Sequence, residues 1–207
     1  MSKVADNLLS RHPLITDQIE TEELRTILKN LEFVLDQGVE GDIVEFGCFE
    51  GTASLFLQRM IQTKQSDKSL WVYDSFDGLP DKTKEDESPL GIDFKRGELR
   101  STKAKFIENF RKAQLPLPRI TKKWFHEITD SELPDTICLA FLDGDYYRSI
   151  RTSLELVLPR MAPGGIIAVD DYDNASLPGV RKAVEHMTNL NNYSKILEKG
   201  VFILRRT

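Results

Sequence analysis

Apolar residues return every three or four positions from Thr21 onward. Leu24, Ile27, Leu28, Leu31, Val34 and Leu35 share one helical face, Glu22 and Glu23 suit the positive first turn, and Gly38 ends the run. Residues 1–20 show no sustained period and are expected to form an arm. Asp42 to Gly47 predicts a short strand, followed by Gly51 and a helix carrying Leu55, Phe56, Met60 and Ile61. A second strand is predicted at 69–75, a helix at about 102–113 and a weaker strand at 119–124. Between them, positions 81–100 hold six acidic and five basic side chains with Pro and Gly, which predicts a mobile loop.

The second half is more apolar. Ile137 to Leu142 and Ile166 to Val169 are continuous apolar runs, as expected of strands buried on both faces of a parallel sheet. A helix carrying Tyr147, Ile150, Leu154, Val157, Leu158 and Met161 lies between them, broken by Pro163-Gly164-Gly165. Residues 176–187 predict a helix with Pro178 in its first turn. The tail predicts two strands joined at Lys199-Gly200. Strands alternating with helices give a doubly wound α/β fold, and the closing hairpin adds one antiparallel edge strand.

Composition narrows the classes. With 40% apolar and 29% charged residues, the 207-residue chain is neither disordered nor a disulfide scaffold. A net charge of −5 leaves no basic surplus for nucleic acid. Cys48 and Cys138 sit in apolar runs and are expected to be small buried hydrophobes in a reducing compartment. No apolar signal core and no membrane-length run occur, so a cytoplasmic protein without membrane contact is expected.

Ligands of open α/β sheets bind beyond the carboxyl ends of the strands. There the sequence offers Glu45-Phe46-Gly47-Cys48-Phe49-Glu50-Gly51, Asp74-Ser75, Asp143-Gly144-Asp145 and Asp170-Asp171. Gly47 and Gly51 suit a tight strand-to-helix turn, and Asp74 suits a carboxylate accepting from ribose hydroxyls, so a nucleoside-containing ligand is expected. Phe49 stands where the dinucleotide fingerprint needs glycine, which disfavours a nicotinamide oxidoreductase. Carboxylates crowded on one rim repel unless a cation joins them. Asp143 and Asp170 end strands expected to be neighbours, and Asp171 extends the second pair. Mg²⁺ or another divalent cation takes such hard oxygen ligands. The competing expectation is that these aspartates cap helices, with Asp145 capping the helix near Tyr147.

In order, VEFGCFEGTAS, WVYDSFDGLP, KKWFHEI, FLDGDYYRSI and PGGIIAVDDY resemble the macrocin O-methyltransferase family over residues 39–186. The resemblance implies a class I, Rossmann-like methyltransferase with a mostly parallel seven-stranded sheet. Beyond the arm and helix read from the pattern at 1–38, it implies an S-adenosylmethionine (SAM) dependent catalytic domain at 39–207. It implies Asp143, Asp170 and Asp171 as metal ligands. The expected cofactor-binding set is Glu45, Gly47, Phe49, Gly51, Ser54, Asp74, Ser75 and Trp124, with Trp124 or Phe125 against adenine. Lys123 stands where the family usually has Gly, and the arm is shorter than is common there.

The activity implied is Mg²⁺-assisted O-methylation of a hydroxyl with a vicinal oxygen, on a sugar of a natural product or glycan. Catechol-type enzymes use a lysine shortly after the first metal aspartate, where this chain has Asp145 and Tyr146. The resemblance points instead to Asp143 as base, with His126 as rival. Two other functions are carried alongside: a GT-A-like glycosyltransferase using Asp143-Gly144-Asp145 as its metal motif, and a SAM-binding protein without turnover. The expected partner is a small-molecule or glycan acceptor, a homodimer stays open, and residues 78–100 are placed to close over the site as a lid.

Overall fold

A computed structural model of the chain describes residues 3–91, 94–188 and 190–207. The strands are β1 (Asp42–Phe46), β2 (Leu70–Asp74), β3 (Arg119–Lys122), β4 (Ile137–Leu142), β5 (Met161–Val169), β6 (Tyr193–Glu198) and β7 (Val201–Arg206). The helices are α1 (Lys3–Arg11), α2 (Thr21–Asp36), α3 (Thr52–Thr63), α4 (Lys103–Lys112), α5 (Tyr147–Val157) and α6 (Pro178–Glu185). All six residues of β4 are buried, because helices cover both faces of the sheet there.

The seven strands lie in the order β3-β2-β1-β4-β5-β7-β6. β1 to β5 run parallel, while β7 is antiparallel to β5 and to β6. The expected hairpin is therefore present, but β6 forms the edge and the antiparallel strand β7 lies inside it. The chain order reverses between β1 and β4, so the crevice at their carboxyl ends is where this topology places a ligand.

Successive strand residues serve opposite layers. Ile43, Leu139, Phe141, Ile166 and Ala168 face a core shared with α1 to α4, whereas Val44, Phe46, Ala140, Leu142, Ile167 and Val169 face one shared with α5 and α6. Ile150, Leu154 and Val157 of α5 recur at helical spacing and are buried. Burying each such side chain stabilises the fold by about 1.5–3 kcal/mol.

Two expectations need correction. The arm contains helix α1, whose Ala5 and Leu8 are buried in the same core as α2 and α3. Its apolar positions, Val4, Ala5, Leu8 and Leu9, have helical spacing but span barely two turns, too short for a sustained period. Residues 1 and 2 of the expected arm lie outside the described residues. The charged loop is also anchored rather than loose. Leu79 N donates to Glu98 O at 2.8 Å and Gly97 N to Leu79 O at 2.9 Å, closing the neck of the loop. Leu79 and Asp86 are buried within it. Positions 92 and 93 of that loop lie outside the described residues. Both cysteines are buried and free, as expected. Among the described residues no helix is long and apolar enough to cross a membrane.

Candidate active site

The turn after β1 is fixed by backbone contact with the turn after β4. Asp143 N donates to Phe46 O at 2.8 Å. A Cβ on Gly47 would stand 1.8 Å from the Asp143 carbonyl oxygen, and Gly47 has φ +87. Only glycine fits. Gly47→Ala is expected to cost about 2–5 kcal/mol through left-handed strain plus overpacking. Denaturant unfolding measures this, and wild-type stability would refute the close approach. Gly51, with φ 96, is the N-cap of α3.

Asp74 holds the same turn from β2. Its Oδ2 accepts from Cys48 N at 2.8 Å and Phe49 N at 3.1 Å, and its Oδ1 accepts from Phe76 N at 2.6 Å. Three backbone donors thus occupy most of the carboxylate expected to serve ribose, although Asp74 still faces the cavity. Glu45 lies beneath the turn, fully enclosed, and accepts from Ser54 Oγ. Burial pushes its carboxyl up to about 8, against the opposing pull of the Ser54 hydrogen bond.

A cavity of about 500 Å³ opens over these turns. Gly47, Phe49, Asp74, Ser75, Trp124, His126, Asp143 and Asp171 of the expected set line it. Glu45 instead reaches a small adjoining recess with Thr16, Gln18 and Thr52. Trp124 and Phe125 form one wall, with Phe125 edge-on to Phe46 at 5.2 Å. His126 sits on an exposed single turn, Phe125–Glu127. The segment before α2 also reaches the cavity through Asp17 and Gln18, and Thr16 Oγ1 lies 2.6 Å from Thr52 Oγ1 at the start of α3. The sequence pointed to the arm as a place for acceptor-selecting residues but singled out none of these, because the contact joins residues 36 positions apart and leaves no local signal.

Asp143 and Asp170 are neighbours on the rim: Leu142 pairs with Val169, and Asp170 N donates to Leu142 O at 3.0 Å. The side chains, however, divide differently from the expected ligand set. Carboxylate oxygens of Asp143, Asp145 and Asp171 all lie within 4.8 Å of one another. Asp170 is not in that group. It is 4% exposed, faces the charge of Asp171 and then that of Glu23 of α2, and its Oδ1 has no hydrogen-bond partner among the described residues. Asp145 is therefore no helix cap. The N-cap of α5 is Tyr146 without a side-chain cap bond, and Tyr147 N donates to Asp86 Oδ1 at 2.7 Å instead. The i, i+2 spacing of Asp143 and Asp145 was the available signal.

Burial first, and mutual repulsion second, raises the carboxyl pKa of Asp143, Asp145 and Asp170. Asp171 is raised by burial too, with Asn174 Nδ2 donating to its Oδ1 at 2.9 Å and pulling the other way. The three grouped carboxylates are hard oxygen donors facing an open cavity, beside a buried oxygen lacking a donor, so the residues present fit a divalent cation.

These shifts set a pH dependence for the metal-free protein. Each acid holds its proton more tightly folded than unfolded, so stability is fully present below the ordinary carboxylate range and is lost as pH rises towards the raised values. Tm is expected to fall between about pH 5 and about pH 8, and saturating Mg²⁺ at the upper end to restore it. A metal-free Tm that is flat or rises over that window would contradict the crowding.

The Macrocin-O-methyltransferase (TylF) family profile matches residues 13–201. The 8-demethyl-8-(2,3-dimethoxy-alpha-L-rhamnosyl)-tetracenomycin-C 4'-O-methyltransferase of Streptomyces olivaceus is 31% identical over 149 residues, covering 69% of this chain and 57% of that protein. Demethyldecarbamoylnovobiocin O-methyltransferase of Streptomyces niveus is 28% identical over 160 residues, covering 74% of this chain and 61% of that protein. The chain thus spans less than two thirds of the length of either. Among solved structures, the O-methyltransferase NovP superposes with a TM-score of 0.82 at 26% identity, over 91% of this chain and 81% of that one.

Proposed function

The chain belongs to the macrocin O-methyltransferase family, and from that premise we propose that it is a SAM-dependent, divalent-cation-assisted O-methyltransferase acting on a sugar hydroxyl with a vicinal oxygen. One observation carries this reading. The glycine turn and the three grouped carboxylates open onto the same cavity, so cofactor and acceptor can meet there. The two curated relatives are named as O-methyltransferases, one of a rhamnosylated compound, which supports a sugar of a natural product as acceptor.

SAM would supply an electrophilic methyl group, and a divalent cation would acidify the acceptor hydroxyl. This chain's residues do the rest. The turn at Gly47–Gly51 and the aromatic wall of Trp124 and Phe125 bind the cofactor along β1 and β2. Asp143, Asp145 and Asp171 are the residues that would hold the cation, on the same cavity as the cofactor turn. Orienting a bound hydroxyl towards the methyl carbon contributes much of the rate enhancement.

Asp143 takes the hydroxyl proton. His126→Ala is accordingly expected to keep turnover within about tenfold, whereas a loss of about 10²–10⁴ would give the role to His126. The triplet Asp143-Gly144-Asp145 would also suit a nucleotide-sugar transferase, but family membership favours methyl transfer. Calorimetry with SAM, followed by mass spectrometry against a panel of glycosides and nucleotide-sugars, tests the proposal. Binding of SAM with one methyl gained by a sugar is the expected result. Binding of a UDP-sugar but not SAM would overturn it.

A further inference from the structure

Helix α5 begins directly after the Asp143–Asp145 turn, yet its own sequence supplies no side-chain cap. The cap comes from 61 positions away. Asp86 is 2% exposed and ends a single turn, Lys84–Asp86, inside the charged loop. Its Oδ1 accepts from Tyr147 N at 2.7 Å. Its Oδ2 accepts from Thr83 N and Thr83 Oγ1, each at 2.8 Å. Both oxygens are thus committed, and the loop is locked to the start of α5. Tyr146 OH, donating to Phe94 O at 3.0 Å, adds a second tie between that turn and the loop.

The same short segment also holds the second acid-bearing turn. Gly179, in the first turn of α6, packs so closely that a Cβ there would lie 1.9 Å from Asp86 Oδ1. Lys182 Nζ of α6 donates to Glu85 O at 2.6 Å. Ser88 Oγ donates to Ala175 O at 3.0 Å, a few residues beyond Asp171. Residues 83–88 therefore touch both the start of α5, next to Asp143–Asp145, and the segment from Ala175 into α6, next to Asp170–Asp171. This bridge adds to the β4–β5 pairing and to the direct packing of α5 on α6, where a Cβ on Gly179 would also stand 2.9 Å from Tyr147 N.

We infer that Asp86 is a positioning residue: through Tyr147 N and the close approach of Gly179 it fixes the spacing of the two acid-bearing turns, and with it the geometry of the carboxylate group. The inference rests on the metal-assisted function proposed for this site. A loosened brace lets the turns relax apart, because the carboxylates repel. The cofactor turn at Gly47–Gly51 is held from β2 by Asp74, which accepts from Cys48 N and Phe49 N, and stays in place. A buried group that merely stabilised the fold would weaken both sites together.

The test uses the full chain, with Mn²⁺ affinity read by electron paramagnetic resonance and SAM affinity by calorimetry. Asp86→Ala is expected to bind Mn²⁺ at least about tenfold more weakly, the range seen when groups supporting metal ligands are removed. SAM affinity should stay within about threefold, on the scale of ordinary indirect effects. Asp86→Asn keeps an oxygen for Tyr147 N and should recover most of the Mn²⁺ affinity. Lys182→Met, a milder change on the half-buried face of α6, should weaken Mn²⁺ severalfold in a folded protein even where Asp86→Ala does not fold. Unchanged Mn²⁺ affinity in the folded variants, or parallel loss of Mn²⁺ and SAM, overturns the inference alone. A wild-type protein that takes up no Mn²⁺ overturns the metal reading and the inference with it.

Discussion

Asp143→Asn is expected to lower turnover at least about a hundredfold and to raise the Tm of the metal-free protein. The rate loss comes from removing a charged oxygen that both faces the cation and takes the proton; even groups one step further from a metal cost up to about a hundredfold when removed. The stability gain has the opposite origin. Burial first, and then the charges of Asp170, Asp145, Asp171 and Glu45, oppose the ionisation of Asp143, with Asp145 and Asp171 within 4.8 Å. A neutral amide of the same shape relieves that repulsion. Scanning calorimetry in EDTA and product mass under saturating Mg²⁺ measure the two effects. A lower metal-free Tm would show that the carboxylate is a structural acceptor and not a cation ligand. In wild-type protein, EDTA should abolish transfer while leaving SAM binding largely intact.

Asp74→Ala is expected to remove SAM binding almost entirely, by at least about a hundredfold, and to destabilise the fold. The sequence assigned Asp74 to ribose alone. In the structure its carboxylate gathers the amides of Cys48, Phe49 and Phe76, so it shapes the cofactor turn as well as facing the cavity. Hydrogen bonds to a charged group contribute about 1.5–3 kcal/mol each, and three are lost together. The stability loss distinguishes this role from simple ribose contact, which would weaken binding and leave unfolding unchanged. Isothermal calorimetry and urea unfolding separate the two. Unchanged SAM affinity would remove Asp74 from the site.

Residue order alone specifies the layered α/β fold, through two apolar runs at 137–142 and 166–169 whose length and continuity suit strands covered on both faces. It also located the rim, because Gly47, Asp74, Asp143 and Asp170 each come directly after a run that forms a strand or at its last residue. These signals are local: a period of two or three and a half, or a glycine beside an apolar segment, is written within a few residues. Helix α1 escaped because its apolar spacing, Val4, Ala5, Leu8 and Leu9, lasts barely two turns. Which side chains meet was set by packing between distant parts of the chain. Asp145 joined Asp143 and Asp171 while Asp170 stayed buried outside that group, because the chain leaves the extended form beyond β4 and β5, where Asp145 and Asp171 have φ of 60 and 54. Asp86, in a segment whose composition suggested a solvated loop, became the buried cap of a helix 61 positions later. No periodicity records such a pairing; it exists only once β4, β5 and the loop between β2 and α4 are brought to one end of the sheet.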